Sequence, residues 1–419
     1  MTVASARPAL AADELESVDL ADARLHAEYD LGPIWRRLRA ETPVYRQEKS
    51  AHGPGFWVVT RHADVAAVYR DDERFGSESG NVLDTLLAGG DSAAGKMLAV
   101  TDGAPHRELR NILQKSFAPR ALAPLVQSLR SSTVWLLEDA LADGECDFAS
   151  EVAANIPIAA ICDLLGVPAA DRREILSLTS SVLGSDHGVG SAAETFSAKN
   201  EILLYFAELA QSRREKPYDD VVSVLVDSQV GGRPLTHEEI IFNCYSILLG
   251  GDETTRLSMI GAVQALIEHP DQWIALKDGA VPMADAVEEV LRWTTPALHS
   301  GRTAAEDVLL DGELIEAGDV VTVWMASANR DEEVFEDPER FDLRRTPNRH
   351  LSFAYGSHFC LGAYLARAEI GAVLEGLRAT ASRMEFAGPT GRVYSNFLSG
   401  LCSLPITVVR DPAHRPEPR

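Results

Sequence analysis

The chain has 419 residues, of which 46% are hydrophobic and 24% charged, and its formal net charge is −24 at pH 7. This composition excludes a disordered chain, and the acidic excess argues against a nucleic-acid-binding surface, which needs basic residues. No apolar run approaches the ~20 residues of a membrane span, the acidic N-terminus does not resemble a signal peptide, and five irregularly spaced cysteines favour a reducing cytoplasm over a disulfide framework.

The sequence shows neither repeats nor a linker, so we expect one domain over residues 26–410. A polar arm over residues 1–25 and a tail over residues 411–419 are expected to be loose. Periodicity predicts short helices and strands in the first part of the domain. The helices are predicted at 34–40 and 62–69, and the strands at 43–46 and 56–60.

Residues 76–96 are rich in Gly, Ser, Asp and Leu and predict a long loop, which in compact chains is usually functional or disordered. Gly90, Gly95 and Lys96 imitate a phosphate-binding loop there. However, Met97 stands where such a loop needs a Ser or Thr to meet magnesium. We therefore assign this match to chance.

His106 and Arg110 lie four residues apart in a helical pattern, so they share one helix face and can bind one anion together. A planar guanidinium suits a carboxylate. The same pair is common on solvated helix faces, and both interpretations remain open from the residues alone. Amphipathic helices without a chemical motif follow at 125–141 and 148–165, and further helical patterns cover 171–212.

Thr236 opens a capping box and the longest helical pattern of the sequence, which Pro270 ends. About 32 residues of helix span about 48 Å, so this helix should run through the middle of the domain. Its centre holds a polar run that is unfavourable in a buried helix: Gly250, Gly251, Asp252, Glu253, Thr254 and Thr255. The run predicts either an exposed, flexible segment or a widened groove in which an acid and a hydroxyl line a cavity.

The next predicted helix, 283–293, contains Glu289 and Arg292, a spacing that by itself usually means a surface ion pair. Strands follow at 308–310, 314–315 and 320–324, the first two joined by an Asp-Gly turn.

Cys360 lies between Gly356 and Gly362, two residues after His358, where a loop enters a helix. Free amides and the helix dipole at this position should lower the pKa of the thiol. One thiolate cannot complete a zinc or iron–sulfur site, but it can be the single axial ligand of a haem iron. Gly362 would leave room for a flat group near the backbone.

The stretch Phe353-x-x-Gly356-x-His358-x-Cys360-x-Gly362 resembles the haem-ligand loop of the cytochrome P450 family. A buried structural cysteine beside a glycine turn is the alternative, which five spaced matches disfavour. The resemblance covers about residues 30–410. It implies a mainly α fold with a small β-rich part, a single triangular domain that holds haem b between the long central helix and the cysteine-loop helix.

The resemblance also implies roles for the other motifs. Glu253 and Thr254 take the acid–alcohol positions of a proton relay, and Cys360 is the axial iron ligand. The residues implied at the haem are His106, Arg110, Arg302, His358, Phe353, Gly356, Gly362, Gly250 and Gly251. Gly250 departs from the more usual alanine, which adds room above the iron. Glu289, Arg292 and Arg340 correspond to a structural ion-pair triad. The implied substrate pocket contains Val82, Leu86, Leu87, Ala297, Leu298, His299, Phe397 and Leu398.

This resemblance implies a haem-thiolate monooxygenase supplied with electrons by a ferredoxin and an NAD(P)H-dependent ferredoxin reductase. The expected docking patch near Cys360 consists of Arg107, Lys115, Arg120 and Arg367. The expected substrate is a mostly apolar or aromatic small molecule of secondary metabolism or antibiotic biosynthesis, changed by hydroxylation or by oxidative ring, C–N or C–C coupling. A catalytically silent platform for a carrier-bound peptide and a peroxide-driven oxidant are the alternatives. The intact cysteine and acid–alcohol pair count against them.

Overall fold

α-Helices are the main secondary structure of the protein, whose structure, a computed structural model, describes residues 7–183 and 192–412. The α-helices of these residues are α1 (Ala23–Glu28), α2 (Gly32–Glu41), α3 (His62–Arg70), α4 (Leu83–Leu87), α5 (Gly103–Ser116), α6 (Pro119–Ala140), α7 (Asn155–Leu165), α8 (Arg172–Leu183), α9 (Ala192–Glu215), α10 (Val221–Val226), α11 (His237–Glu268), α12 (Pro270–Lys277), α13 (Met283–Thr294), α14 (Met325–Ala328) and α15 (Ala363–Thr380). None of the described helices is both long and apolar enough to cross a membrane.

The strands are short, and five of the fourteen described strands form the largest sheet. They are β1 (Val44–Gln47), β2 (Phe56–Val59), β3 (Phe75–Gly76), β4 (Glu145–Asp147), β5 (Gln229–Val230), β6 (Arg233–Pro234), β7 (His299–Ala304), β8 (Val308–Leu310), β9 (Glu313–Ile315), β10 (Val320–Trp324), β11 (Ala381–Phe386), β12 (Gly391–Arg392), β13 (Leu401–Ser403) and β14 (Pro405–Arg410). The five-stranded sheet has the order β1-β2-β10-β7-β3, with β2 and β10 parallel. A three-stranded sheet, β11-β14-β4, and three two-stranded ribbons complete the β structure.

Helix α11 is the central element, as the capping box predicts. The Thr236 hydroxyl accepts the Glu239 amide at 3.2 Å, and the Glu239 carboxylate accepts the Thr236 amide at 2.7 Å. The helix then continues unbroken for 32 residues and packs against α7, α9, α13 and α15. Asp252 and Glu253 in its centre are buried, so the interpretation as an exposed segment is wrong.

Two hydrophobic clusters meet on α11. One joins it to α6, α13 and α15, and the other joins it to α7, α9 and α10. Smaller clusters pack the five-stranded sheet against α3 on one side and against α2 with the N-terminal segment on the other. The packing fixes α11 and α15 relative to each other, which matters because the functional site lies between them.

The N-terminal segment differs from the expected loose arm. Leu15, Val18 and Leu20 are buried, and the Gln47 amide bonds the backbone of Val18 and Leu20 at 3.2 and 3.3 Å. Residues 12–25 are therefore a packed part of the domain, because their apolar side chains cover the sheet. Residues 1–6, and 413–419 of the expected tail, lie outside the described residues.

Candidate functional site

A cavity lies between α11 and α15, and the cysteine loop forms part of its wall. The space free of protein atoms is about 1550 Å³, a figure that includes the open mouth. The lining runs from Cys360 in the cysteine loop to Thr254 in α11, so one continuous space joins the two.

The cysteine loop is held by backbone contacts. The Cys360 amide donates to the Phe353 carbonyl at 2.8 Å, and both residues line the cavity. Gly356 has φ +73°, and a Cβ there would lie 2.3 Å from the Tyr69 carbonyl oxygen, so only glycine fits. Gly356 is not among the residues that line the cavity, and its close approach to Tyr69 serves the packing of the loop on α3. Its expected contact with the cofactor stays a prediction.

The Cys360 thiol does not have the lowered pKa expected at a helix N-terminus. Burial raises its pKa, although the Gly362 amide and the charges of Arg110 and Arg367 act in the opposite direction. Desolvation outweighs the local positive field because the thiolate is the charged form. A bound metal cation deprotonates a coordinating thiol outright, so iron itself would supply the missing stabilisation.

Four nitrogen-bearing side chains predicted to bind one ligand converge at the cavity edge: His106, Arg110, Arg302 and His358. The His106 and His358 rings stack with centroids 4.2 Å apart. Arg110 Nη2 donates to the Phe359 carbonyl at 2.6 Å, which ties α5 to the cysteine loop. Arg302 is buried, and its Nη1 bonds the Ser300 hydroxyl at 2.8 Å and the Gly301 carbonyl at 2.6 Å.

Two of these side chains, Arg302 and His106, have hydrogen-bonding or charge capacity left for an anionic group. Arg302 forms no ion pair with a carboxylate of residues 7–183 or 192–412, and burial lowers its pKa. His106 is 1% exposed, and its Nε2 has no hydrogen-bond partner among the described residues. Burial, with the charges of His358 and Arg110, lowers the pKa of His106 to about 4. A Cβ at Gly362 would meet nothing within 4 Å. These features fit a flat haem with two carboxylates.

The opposite wall is the centre of α11, where Gly250, Gly251 and Thr254 line the cavity. The Thr254 hydroxyl donates to the Gly250 carbonyl at 3.2 Å, so its oxygen keeps its lone pairs for a donor in the cavity. Glu253 is 1% exposed, lies 3.6 Å from Arg256 and is not a lining residue. The structure thus places the alcohol at the wall and the acid behind it.

Glu369, which sequence reasoning missed, lines the same cavity from α15. It is 1% exposed, and its Oε1 has no hydrogen-bond partner among the described residues. Burial and the negative charge of Asp252 raise the pKa of Glu369 well above 4.5, although a hydrogen bond with Thr255 acts in the opposite direction. Its position on the inner face of α15 is the only signal the sequence offers, since that face is otherwise apolar.

Glu289 organises the segment 336–348, which we call the meander. Arg292 binds its carboxylate with two bonds of 2.7 and 2.8 Å and donates to the carbonyls of Asn329, Pro338 and Arg340. The prediction that Arg340 is the third member of the ion-pair triad with Glu289 and Arg292 is wrong. The Arg340 side chain is 62% exposed and lies 3.9 Å from Asp342. Arg345 takes that place, with Nε 3.1 Å from Glu289 Oε2 and its side chain 10% exposed.

Three of the eight expected pocket residues line the cavity: Ala297, His299 and Phe397. The other five, Val82, Leu86, Leu87, Leu298 and Leu398, do not, and their expected position is wrong. Helix α4 turns its leucines inward instead. Leu86 packs against Gly301: a Cβ added at Gly301 would lie 2.4 Å from Cδ1 of Leu86. Leu298 and Leu87 pack into the cluster around Trp324, and Leu398 packs on Leu257.

His299 connects two pocket loops. Its Nε2 accepts the Leu83 amide at 3.2 Å, so the ring proton is assigned to Nδ1. The ring packs 4.7 Å from Trp324 and 5.5 Å from Phe397. Burial and the charge of His26 lower its pKa to about 3, so the ring is neutral. Nε2 is thus an acceptor that ties the two loops together. The Nδ1–H has no hydrogen-bond partner among the described residues, so the expected role of His299 as a pocket donor stays a prediction.

Two acids near the cysteine loop were missed. The Asp102 carboxylate accepts the amides of Ser77 and Glu78 at 2.7 and 2.8 Å and lies 3.2 Å from His358 Nε2. Glu288 binds Arg367 with two bonds of 2.5 and 2.9 Å. Both partners are distant in sequence, and an isolated acid carries no motif, so no sequence signal pointed to either.

Comparison with known proteins decides what this cavity is. The cytochrome P450 family pattern matches residues 280–377. Cytochrome P450 NovI from Streptomyces niveus is 51% identical over 404 residues, covering 96% of this chain and 99% of NovI. The chain belongs to the cytochrome P450 family. Linalool 8-monooxygenase from Pseudomonas putida is 33% identical over 94% of this chain and 100% of that enzyme.

A solved structure shows the same fold. The crystal structure of P450 OxyD, which is involved in the biosynthesis of vancomycin-type antibiotics, matches with a TM-score of 0.86 and 34% identity. The match covers 94% of this chain and 100% of OxyD. The predicted fold class and cofactor are thereby confirmed: this cytochrome P450 is a mainly α, single-domain monooxygenase that uses haem b.

Proposed function

We propose that this cytochrome P450 oxidises a mostly apolar or aromatic small molecule in a tailoring step of secondary metabolism. The observation that carries the proposal is a single cavity in which Cys360 and the α11 wall at Thr254 line the same space. The similarity to OxyD supports the metabolic context. Hydroxylation is our first assignment, and oxidative ring, C–N or C–C coupling uses the same site.

The substrate class is supported by the lining. Apolar side chains dominate it: Leu98, Ala99, Ile161, Ile247, Ala297 and Phe397. Polar groups on the lining are Asn81, Ser246 and Ser300, which can orient a substrate through a few hydrogen bonds. A titration of the purified haem protein against a metabolite panel, read from the spin state of the iron, tests this. Preference for small, highly charged molecules would refute the proposed class.

The residues would divide the work as follows. Cys360 would bind the iron. The charges of Arg110 and Arg302 would neutralise the haem carboxylates, which an apolar cavity could not otherwise hold, and His106 and His358 would bind the same carboxylates through their ring nitrogens. Bound haem supplies the activation of oxygen. Glu253 would deliver protons to Thr254 Oγ1, after its carboxylate turns away from Arg256. Thr254 would hold the proton at the cavity wall.

Replacement of Thr254 by Ala tests this relay. We expect NAD(P)H consumption to continue while product falls about tenfold or more and peroxide accumulates, because proton transfer of this kind contributes about 10²–10⁴-fold. Thr254→Ser keeps the hydroxyl and should retain coupling. Tight coupling in Thr254→Ala would remove Thr254 from the relay. Full turnover with peroxide alone, without a reductase, would favour the peroxide-driven alternative.

A ferredoxin with an NAD(P)H-dependent reductase is the proposed electron source. Arg107 on α5, Lys115 on α5 and Arg120 on α6 are exposed and can form the docking patch. Arg367 contributes less than expected, because Glu288 pairs its charge. A cytoplasmic location agrees with this partner and with five free cysteines.

Charge reversal tests the patch. Replacing Arg107, Lys115 and Arg120 together by Glu should slow reduction by ferredoxin about tenfold at low salt, since electrostatic complementarity acts mainly on the association rate. Arg24→Glu, an exposed site on α1, is the matched control. An unchanged reduction rate in the triple variant would refute the docking surface.

A further inference from the structure

Asp102 joins three separate segments just before α5. Its Oδ2 accepts the amides of Ser77 and Glu78, in the loop that follows β3, and its Oδ1 lies 3.2 Å from His358 Nε2 in the cysteine loop. A Cβ at Gly76 would lie 3.1 Å from Asp102 Oδ2, so the glycine gives the carboxylate room. The Asp102 carboxylate is therefore held in place by directional hydrogen bonds from two other segments of the chain.

Asp102 also occupies the N-cap position of α5 without capping it. Its side chain makes no bond to the first turn of that helix. Asp22 and Asp220 hold the same position on α1 and α10, and both accept an amide of their own helix. An Asp cap usually contributes about 1 kcal/mol. At α5 the carboxylate is directed to the cysteine loop instead.

The bond to Asp102 determines how the His358 ring lies. An ionised carboxylate only accepts hydrogen bonds, so Nε2 of His358 is the donor and Nδ1 remains for another partner. His106 stacks on this ring at 4.2 Å, with an angle of 28° between the planes. Fixing one ring therefore restricts the other, whose buried Nε2 has no partner among the described residues.

We infer that Asp102 is a positioning residue that orients His358, and through it His106, toward the haem carboxylates. It acts on the haem through these rings, as carboxylates behind metal-binding histidines do. The inference rests on haem binding at Cys360 and extends it to a residue that does not itself line the cavity but contacts the lining residue His358. Its expected signature is looser haem, with the iron ligand unchanged.

The test is the rate of haem loss from the holoprotein to excess apomyoglobin. Asp102→Asn keeps the shape and an oxygen for the Ser77 and Glu78 amides but places an amide donor near His358. Loss of such an outer partner typically costs about 10–100-fold in affinity, so we expect haem loss about tenfold faster than in the unmodified protein. Asp22→Asn, the same change at the N-cap of α1, should stay within about twofold.

A double-mutant cycle separates positioning from a general loss of structure. If Asp102 acts through His358, Asp102→Asn should change haem loss less than about twofold in a His358→Ala background. The resonance Raman bands of the haem carboxylates should shift in Asp102→Asn, while the carbon monoxide complex keeps its thiolate-type Soret band.

Equal acceleration in both backgrounds, or unchanged haem loss in Asp102→Asn, would overturn the inference. If Asp102→Asn does not fold, Asp102→Glu is used: it keeps the charge but displaces the carboxylate by one methylene, and unchanged haem loss there would equally refute the inference. Unmodified protein that takes up no haem would instead refute the cofactor assignment itself.

Discussion

The two walls of the cavity are built differently. Behind the cysteine loop, the Glu289 carboxylate accepts from Arg292, Arg345, Asn348 and the Asp342 amide, all with defined geometry. At the α11 wall, apolar packing and an open position at Gly250 set the shape. Directional bonds to one buried carboxylate fix the cofactor side, whereas apolar packing contributes more to the shape of the substrate side. Substitutions should therefore affect stability and haem retention on one side, and substrate choice on the other.

The largest effect is expected from Arg292→Ala. It leaves the buried Glu289 charge partly unpaired and removes a donor from three carbonyls, so we expect a loss of about 3–5 kcal/mol in the free energy of unfolding. Urea unfolding of the holoprotein measures it. Arg130→Ala, an exposed arginine 3.9 Å from Glu375, should cost less than about 1 kcal/mol. Similar losses in both variants would contradict the comparison.

Arg345→Ala against Arg340→Ala tests which arginine completes the Glu289 cluster. Removing Arg345 deletes bonds to the carboxylate and to the carbonyls of Glu336 and Asp337, and should cost about 2–3 kcal/mol. Replacing the exposed Arg340 by Ala should change the free energy of unfolding by no more than about 0.5 kcal/mol. The measurement is again urea unfolding, and a larger loss for Arg340 would reverse our assignment.

This pair also shows where sequence reasoning ends. The capping box at Thr236 and the Cys360 loop could be predicted because their signals are local: a hydroxyl three residues before an acid, and a cysteine between spaced glycines. Arg340 and Arg345 lie in one irregular segment, and only the folded path decides which side chain turns inward. Asp102 escaped prediction for the same reason, since its partner His358 is 256 residues away.

The predicted positions of the substrate-pocket leucines differ from the structure for another reason. The leucines of residues 82–87 were expected to face the substrate because the segment was predicted as a loop. They form α4 instead, and a short helix beside the sheet buries its apolar side in the nearest hydrophobic cluster. Hydrophobicity shows that a side chain will be covered, but not whether protein or ligand covers it.

On the substrate side, Gly250→Ala and Gly251→Ala should behave differently. A Cβ at Gly250 meets nothing within 4 Å, whereas one at Gly251 lies 2.8 Å from Ile161 Cδ1. We expect Gly250→Ala to fold normally and to weaken binding of a bulky ligand about 30-fold, about 2 kcal/mol, because the methyl group occupies cavity space. Spin-state titration measures the affinity. Unchanged affinity with every ligand tested would show that Gly250 does not define the pocket.

Gly251→Ala is the companion experiment. Overpacking against Ile161 should lower the free energy of unfolding by about 1–3 kcal/mol. The higher helix propensity of alanine, about 1 kcal/mol relative to glycine, offsets part of this loss. Equal thermal stability of the two variants would mean that Ile161 moves aside freely.

The last prediction concerns pH and Glu369, the buried acid that lines the cavity from α15. Its pKa is raised above the ordinary 4.5 by burial, so above that pH the folded protein keeps a proton that the unfolded chain has released. The unfolded state then binds fewer protons, and stability falls as pH rises, by up to about 1.4 kcal/mol per pH unit, until the pH passes the folded pKa. Glu369→Gln cannot ionise and should remove this slope. Glu375→Gln, an exposed change on the same helix, should keep it. Urea unfolding at a series of pH values measures the slopes, and an identical slope in Glu369→Gln and the unmodified protein would mean that Glu369 is already ionised between the two helices.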